Sequence, residues 1–197
     1  DVPMFNGRPL DFRQLWINGK KAVRARDVAD FEKMYRIINN DPQNEILWVP
    51  AAAVKKIQKA RYAEMVLHEM WCVANLRIKS VEIQGDSAAV RFHNPESRIQ
   101  FEHPWPRPMV TKDGHNSAFY LTNAMELLDE PGEWYHDIES RKIYYYPRKG
   151  EKISKAVVPG IETLVWVEGT IDRPVKHIRF DNIAFQYTTW MRPSLQG

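Results

Sequence analysis

Short stretches in which apolar and polar residues alternate recur along most of this 197-residue chain. They are clearest between residues 62 and 92, where Gly85-Asp86 separates two of them. Alternation with a period of two sends successive side chains to opposite faces of a strand. Short strands joined by tight turns are typical of an antiparallel β-sandwich or barrel. The residues that fall on one face of the first strand in this region are Met65, Leu67, Glu69 and Trp71. The pattern therefore predicts a β-rich domain over about residues 1–150.

A hairpin is predicted near the amino terminus of the chain. Leu15-Trp16-Ile17 leads into Asn18-Gly19, a dipeptide that favours the positive φ angles of a two-residue hairpin turn. The residues after the turn alternate small or apolar side chains with basic ones up to Arg26. Further strands are predicted over 45–49, 134–137 and 142–146.

Few helices are predicted. Residues 51–59 form the best candidate, because Pro50 stands at the start and Val54 and Ile57 share one face. Weaker helical spacing is found over 31–38 and 119–129. Residues 94–116, with prolines at alternating positions 104, 106 and 108, are predicted to form a long irregular loop.

The pattern changes after about residue 159. Short apolar alternations at 164–169 and 175–185 are spaced as successive coils of a parallel β-helix would be. Residues 151–197 are therefore predicted to be the opening coils of a right-handed parallel β-helix. Such coils bury their inward side chains against the next coil, and about three are needed for stability.

Composition and charge narrow the function classes. The net charge of +3 comes from interleaved Lys, Arg, Asp and Glu, which argues against a nucleic-acid partner. No apolar run approaches the roughly 18 residues of a membrane span. Cys72 is the single cysteine, so no internal disulfide is possible. The aromatic share of 12% favours strands and allows stacking on sugars.

Two long motifs carry a resemblance to a known group. The run NAMELLDEPGEWY at 123–135 is followed by IYYYP at 143–147, and a second run extends from 162 to 190. Together with the hairpin at 16–26, these runs resemble right-handed parallel β-helix proteins of Bacteroides-type polysaccharide-degrading bacteria. That group includes glycoside hydrolases, so the resemblance implies a secreted, periplasmic or cell-surface parent protein.

The resemblance also implies partners and the place of the chemistry. The expected partners are an oligosaccharide or polysaccharide and the remainder of the protein's own β-helix, with no cofactor. In such enzymes the catalytic acids are expected on later coils, so the resemblance assigns no catalytic residue to this chain. The chain alone is therefore expected to be inactive.

Glycoside hydrolysis requires two carboxyl groups about 5–9.5 Å apart. Weak candidates for such a pair are Glu133 and Asp137, which lie near the turn at Pro131-Gly132. The alternative is that these acids are simply solvated. The histidines do not follow a metal-binding spacing, and no metal site is predicted.

Four aromatic side chains are candidate sugar contacts: Trp105, His68, Trp71 and Trp134. Trp105 is held extended between two prolines and could be a platform for a sugar or a plug of the core. His68 could face a groove near Trp71, or be a hydrogen-bonded sheet residue. Trp134 could contact glycan or pack in a strand. Two functions stay open: a wall of a hydrolase substrate cleft, and a non-catalytic domain that binds glycan or braces the β-helix.

Overall fold

The computed structural model describes residues 2, 4, 5, 8–103 and 106–190. The strands are β1 Met4–Phe5, β2 Arg8–Pro9, β3 Trp16–Ile17, β4 Lys20–Lys21, β5 Val23–Arg24, β6 Tyr35–Arg36, β7 Asn39–Asp41, β8 Ile46–Pro50, β9 Glu64–His68, β10 Val73–Gln84, β11 Ser87–Phe92, β12 Ala118–Thr122, β13 Glu133–Asp137, β14 Lys142–Tyr145 and β15 Ala156–Val157. The helices are α1 Ala51–Val54, α2 Glu96–Glu102 and 3₁₀ turns at Phe31–Lys33, Lys55–Ile57 and Met125–Leu127. The prediction of a mainly β fold is confirmed.

The largest sheet has seven strands in the order β6-β12-β9-β10-β11-β8-β7. Every pair in it is antiparallel. Its two edge strands, β6 and β7, follow each other in the chain and are joined by Ile37 and Ile38. The amide of Ile37 donates to the carbonyl of Ser117 and that of Ile38 donates to Trp48. This linker therefore bonds to both sides of the sheet, which curls into a barrel.

The barrel encloses the main hydrophobic core. Met65 and Leu67 of β9 and Leu76 and Ile78 of β10 point inwards and are buried. Alternation along β9 then places Glu64, Val66 and His68 on the outside. Helix α1 and the turn after it close the core from one side through Val54 and Ile57.

A second, smaller core lies beside the barrel. Two three-stranded sheets, β14-β13-β5 and β15-β3-β4, surround a cluster that includes Phe12, Leu15, Ile17 and Trp134. The predicted hairpin is confirmed: β3 pairs with β4, and Asn18 and Gly19 have φ values of 50° and 78°.

Three local predictions are wrong, because contacts with distant segments outweigh local spacing in these regions. Residues 118–122 form a strand between β6 and β9 rather than the start of a helix. In the region 31–38, a single 3₁₀ turn precedes β6. The predicted loop at 94–116 contains α2, whose Phe101 ring packs 6.5 Å from that of Phe92.

Residues 158–190 contain no strand, so the structure does not show the predicted β-helix coils, which stay a prediction. Many apolar side chains there are exposed, Trp166 by 77% and Ile171 by 99%. The segment returns to the second core at Tyr187, whose ring meets that of Trp16 edge-on. None of the described helices has the length and apolar character needed to cross a membrane.

Candidate functional site

The outer face of the barrel carries a polar patch over β9, β10 and β12. In the sheet register Glu64 lies opposite Arg77 on one side and Thr122 on the other, while Asn75 lies opposite Val66. Glu64, Arg77 and Thr122 point to the same face of the sheet because they lie opposite one another, and Asn75 shares that face because it is two positions from Arg77. The patch is thus a direct product of strand pairing.

Two arginines from the segments around the second core, Arg13 and Arg24, cover this patch. Arg24 Nη1 donates to Glu64 Oε2 at 3.0 Å, and Arg13 Nη1 donates to Oε1 at 3.1 Å. Arg13 Nη2 also donates to Oε2. Burial alone would raise the pKa of Glu64, but the charges of Arg24 and Arg13 bring it below its ordinary value. Glu64 is therefore a buried carboxylate that stays ionised between two cations.

A second ion pair continues the patch. Arg77 Nη2 donates to Glu96 Oε2 at 2.7 Å and to the carbonyl oxygen of Asn94 at 3.1 Å. Glu96 is buried at the start of α2. Helix α2, which the sequence pattern did not reveal, therefore supplies one wall of the site.

The turn between β9 and β10 supplies a third carboxylate. Glu69 Oε1 accepts from Gln100 Nε2 at 2.7 Å, and Oε2 accepts from the Cys72 thiol at 3.1 Å. Burial raises the pKa of Glu69. Burial and the neighbouring carboxylate raise the pKa of Cys72 to about 11, which keeps the thiol protonated near neutral pH.

Two depressions run along this face and share Asn75, Glu96 and Trp190. The first, of about 460 Å³, lies between Trp71 and Trp190 and includes Glu69. The second, of about 680 Å³, lies over the ion pairs of Glu64 and Arg77. We call the two together the outer groove. Trp190 stands between them, with the Arg13 guanidinium 4.5 Å from its ring centroid.

Trp71 is the predicted sugar contact that the structure places in the outer groove. It lies in the β9–β10 turn, is 58% exposed, and lines the first depression. The prediction that Trp71 and Glu69 share a strand face with Met65 and Leu67 is wrong, because β9 ends at His68. Since the chain turns there, Trp71 faces the groove rather than the core.

His68 lies apart from Trp71, outside the residues that line the groove. Its ring contacts that of Phe31 edge-on, with centroids 5.4 Å apart. Burial, with the charge of Arg36, lowers the pKa of His68. Its buried Nε2 has no hydrogen-bond partner among the described residues. Trp105, the fourth predicted contact, lies outside the described residues.

Trp134 is not a sugar contact. Its side chain is fully buried in the second core, and its ring stacks on that of Phe12. Trp134 lies on β13, the central strand of its sheet, which pairs with β14 on one side and with β5 on the other. The prediction of glycan contact by this residue is corrected: it packs the core.

Glu133 and Asp137 do not form a catalytic pair. They lie four positions apart on β13, which separates their side chains by roughly 13 Å, beyond the range for either hydrolytic mechanism. Glu133 is buried and accepts hydrogen bonds from the amides of Arg26, Asp129 and Glu130. Burial raises the pKa of Glu133, while the bond from Ser140 lowers that of Asp137. Both carboxyls serve the local turns.

Most of the groove is not apparent from the sequence. Glu64, Arg13 and Arg24 are far apart in the chain, and Gln100 lies on a helix that was not predicted. One signal in the sequence is Glu64 itself, because a charged residue next to apolar residues in a predicted strand indicates a partner of opposite charge. Within the described part of the chain, no three His, Cys, Asp or Glu side chains are close enough to hold a metal ion.

Comparisons with known proteins place the chain in a family. A comparison with curated proteins gives no match. A solved structure named "Glycoside hydrolase" shares 72% sequence identity with a TM-score of 0.90. The match covers 98% of this chain and 34% of that one, so the chain spans about a third of that protein's length. The family model described as the GH141 insertion domain matches residues 1–148. The chain therefore belongs to the GH141 insertion-domain family.

Proposed function

We propose that this chain is a non-catalytic domain of a polysaccharide-degrading glycoside hydrolase, and that its outer groove forms part of the wall of the substrate cleft. The observation that carries the proposal is the groove itself, with exposed Trp71 at one end and Trp190 in the middle. Tryptophan rings offer apolar faces to the C–H groups of sugars, and the polar residues between them bind hydroxyls.

The state of the carboxylates supports a non-catalytic role. Glu64 and Glu96 are each held by arginine side chains, and Glu133 is held by backbone amides. Hydrolysis needs one carboxyl to give up or take a proton and another to act as nucleophile or base. A carboxylate locked in a buried ion pair does neither readily. The catalytic acids of the whole enzyme are therefore proposed to lie outside this chain.

The segment after β15 supports a link to a longer fold. Trp166, Ile171 and Ile183 are exposed apolar residues in a segment without strands. We propose that further coils of a parallel β-helix cover them in the whole protein, which is secreted, periplasmic or on the cell surface. This exposed apolar surface also favours a second role for the chain, as a domain that braces the β-helix.

Activity and binding assays test the proposal. The 197-residue chain and a longer hydrolase that contains it are incubated with plant and host polysaccharides, and reducing ends are measured. We expect the longer protein alone to hydrolyse a substrate, and Trp71→Ala in it to raise KM with little change in kcat. Hydrolysis by the isolated chain would contradict a non-catalytic role. An unchanged KM would leave the bracing role as the better description.

A further inference from the structure

We propose that the depression between Trp71 and Trp190 binds a short segment of an uncharged oligosaccharide and discriminates against uronic acids. The inference rests on the proposed function and adds the chemical class of the ligand. The volume of about 460 Å³ lies within the range of roughly 300–1,000 Å³ typical of ligand sites.

The walls of this depression are largely apolar. Its lining includes the apolar side chains Trp71, Val73, Ile99, Pro106 and Trp190. Trp71, Val73 and Trp190 are exposed, so their apolar surface is open to a ligand. A pyranose ring has an apolar C–H face that matches such walls, whereas an extended charged chain gains little from them.

The charge of the lining selects against anions. Glu69 and Glu96 both line the depression, and its described lining includes no Lys or Arg. The arginine that pairs with Glu96 reaches it from the neighbouring depression, where Arg77 is itself neutralised by that bond. The carboxylate of a uronic acid would meet the negative charge of Glu69, and the described lining offers no Lys or Arg to bind it. A neutral sugar avoids this cost.

Glu69 is held ready to accept hydrogen bonds from hydroxyl groups. Gln100 and Cys72 each bond to one of its oxygens, which fixes the orientation of the carboxylate. Each carboxylate oxygen has a second lone-pair site, so a sugar hydroxyl can still donate to it. A pre-oriented acceptor loses little conformational entropy when a ligand binds.

The same groove continues over Glu64, where two guanidinium groups share one carboxylate. Arg24 and Arg13 both donate to Glu64, so this cluster keeps one positive charge in excess. The discrimination against anions is therefore proposed for the first depression alone. An uncharged glycan can extend along the whole groove.

The test uses the 197-residue chain and isothermal titration calorimetry. The probes are neutral tetrasaccharides of glucose, mannose and xylose, with tetragalacturonate as the anionic probe. We expect at least one neutral probe to bind and tetragalacturonate to bind at least tenfold more weakly. Trp71→Ala should weaken neutral binding by tenfold or more. The matched control Trp166→Ala changes another exposed tryptophan, outside the groove, and should leave binding unchanged.

A second variant tests the role of charge. Glu69→Gln keeps the shape of the side chain but removes its negative charge, so binding of tetragalacturonate should rise relative to the neutral probes. Circular dichroism and melting curves check that each variant is folded. Stronger binding of tetragalacturonate to the unmodified chain, or neutral binding that survives Trp71→Ala, would overturn the inference.

The outcome also separates this inference from the proposed function. If no neutral probe binds the chain, yet Trp71→Ala raises the KM of the longer hydrolase, the uncharged-glycan site is wrong and the cleft wall stands. If Trp71→Ala changes neither binding nor KM, both are wrong.

Discussion

The rings of Phe12 and Trp134 stack with their centroids 5.4 Å apart and their planes inclined by 14°. The Phe12 ring also stacks on that of His136, with the centroids 4.8 Å apart. One residue of the amino-terminal segment is therefore joined to two residues of β13 in the second core. This contact explains why the segment before β3 is part of the fold.

Trp134→Ala should destabilise the protein by about 3–5 kcal/mol, because it empties a large buried site. The midpoint of urea unfolding, followed by circular dichroism, measures the loss. Trp71→Ala is the matched control, since Trp71 is exposed and its truncation should change the free energy of unfolding by no more than about 0.5 kcal/mol. Equal losses for the two variants would contradict the assignment of Trp134 to the core.

The sequence predicted the strands whose alternation is uninterrupted. The hairpin at Asn18-Gly19 and the strands β9, β10 and β11 follow from local pattern and turn chemistry alone. The strand β12 was predicted as part of a helix over 119–129 because of the run from Ala124 to Leu128. Pairing with β9 decides its conformation, and pairing between distant segments is not encoded in local spacing.

The same distinction explains which part of the site could be predicted. Trp71 was singled out because a histidine and an aromatic residue close together on a predicted strand could face a groove. The partner of Glu69 is Gln100, 31 positions away on an unpredicted helix. Long-range proximity of this kind arises only when the barrel closes, so single-sequence reasoning could not reach it.

Glu64→Gln should cost about 3–5 kcal/mol of unfolding free energy, because it leaves Arg13 and Arg24 without their shared counter-charge in a largely buried place. Urea unfolding near neutral pH measures this loss. The control is Glu139→Gln, which removes the carboxylate from an exposed pair with Arg61 and should cost no more than about 1 kcal/mol. A loss for Glu64→Gln as small as that of the control would mean that solvent screens the cluster.

Asp27 should make the protein less stable as the pH rises through weakly acidic values. Burial raises the pKa of Asp27 to about 6, although its Oδ1 accepts a bond from the amide of Leu121. Its Oδ2 is buried with no partner among the described residues. Since the folded state holds this proton more tightly than the unfolded state does, the stabilising effect is complete below about pH 4 and is lost as the pH rises through about 6.

Asp27→Asn should therefore flatten the pH dependence of stability between about pH 4 and 6. The measurement is the urea midpoint at half-unit pH intervals for both proteins. Asp113→Asn changes an exposed position where hydrogen bonding by Thr111 lowers the pKa of the carboxyl, and it should keep the decline in stability of the wild type. Parallel curves for the wild type and Asp27→Asn would show that Asp27 titrates normally.

His136 should act in the opposite sense and make the protein sensitive to acid. Burial lowers the pKa of this histidine, an effect to which Arg24 adds and which Asp11 and Asp137 oppose. Neither ring nitrogen has a hydrogen-bond partner among the described residues. The unfolded state takes up the proton first, so stability is full above about pH 6.5 and falls as the pH decreases towards the lower pKa of the folded state.

His136→Phe keeps an aromatic ring against Phe12 and removes the titrating group. We expect its stability at pH 8 to match or exceed that of the wild type, and its loss on acidification from pH 7 to pH 5 to be smaller. Urea unfolding at the two pH values gives both quantities. His93→Phe, at an exposed position, should retain the acid sensitivity of the wild type. If His136→Phe lost as much stability as the wild type between pH 7 and 5, the acid sensitivity would come from other groups. Protonation of the imidazole stacked on Phe12 would then cost the folded state little free energy.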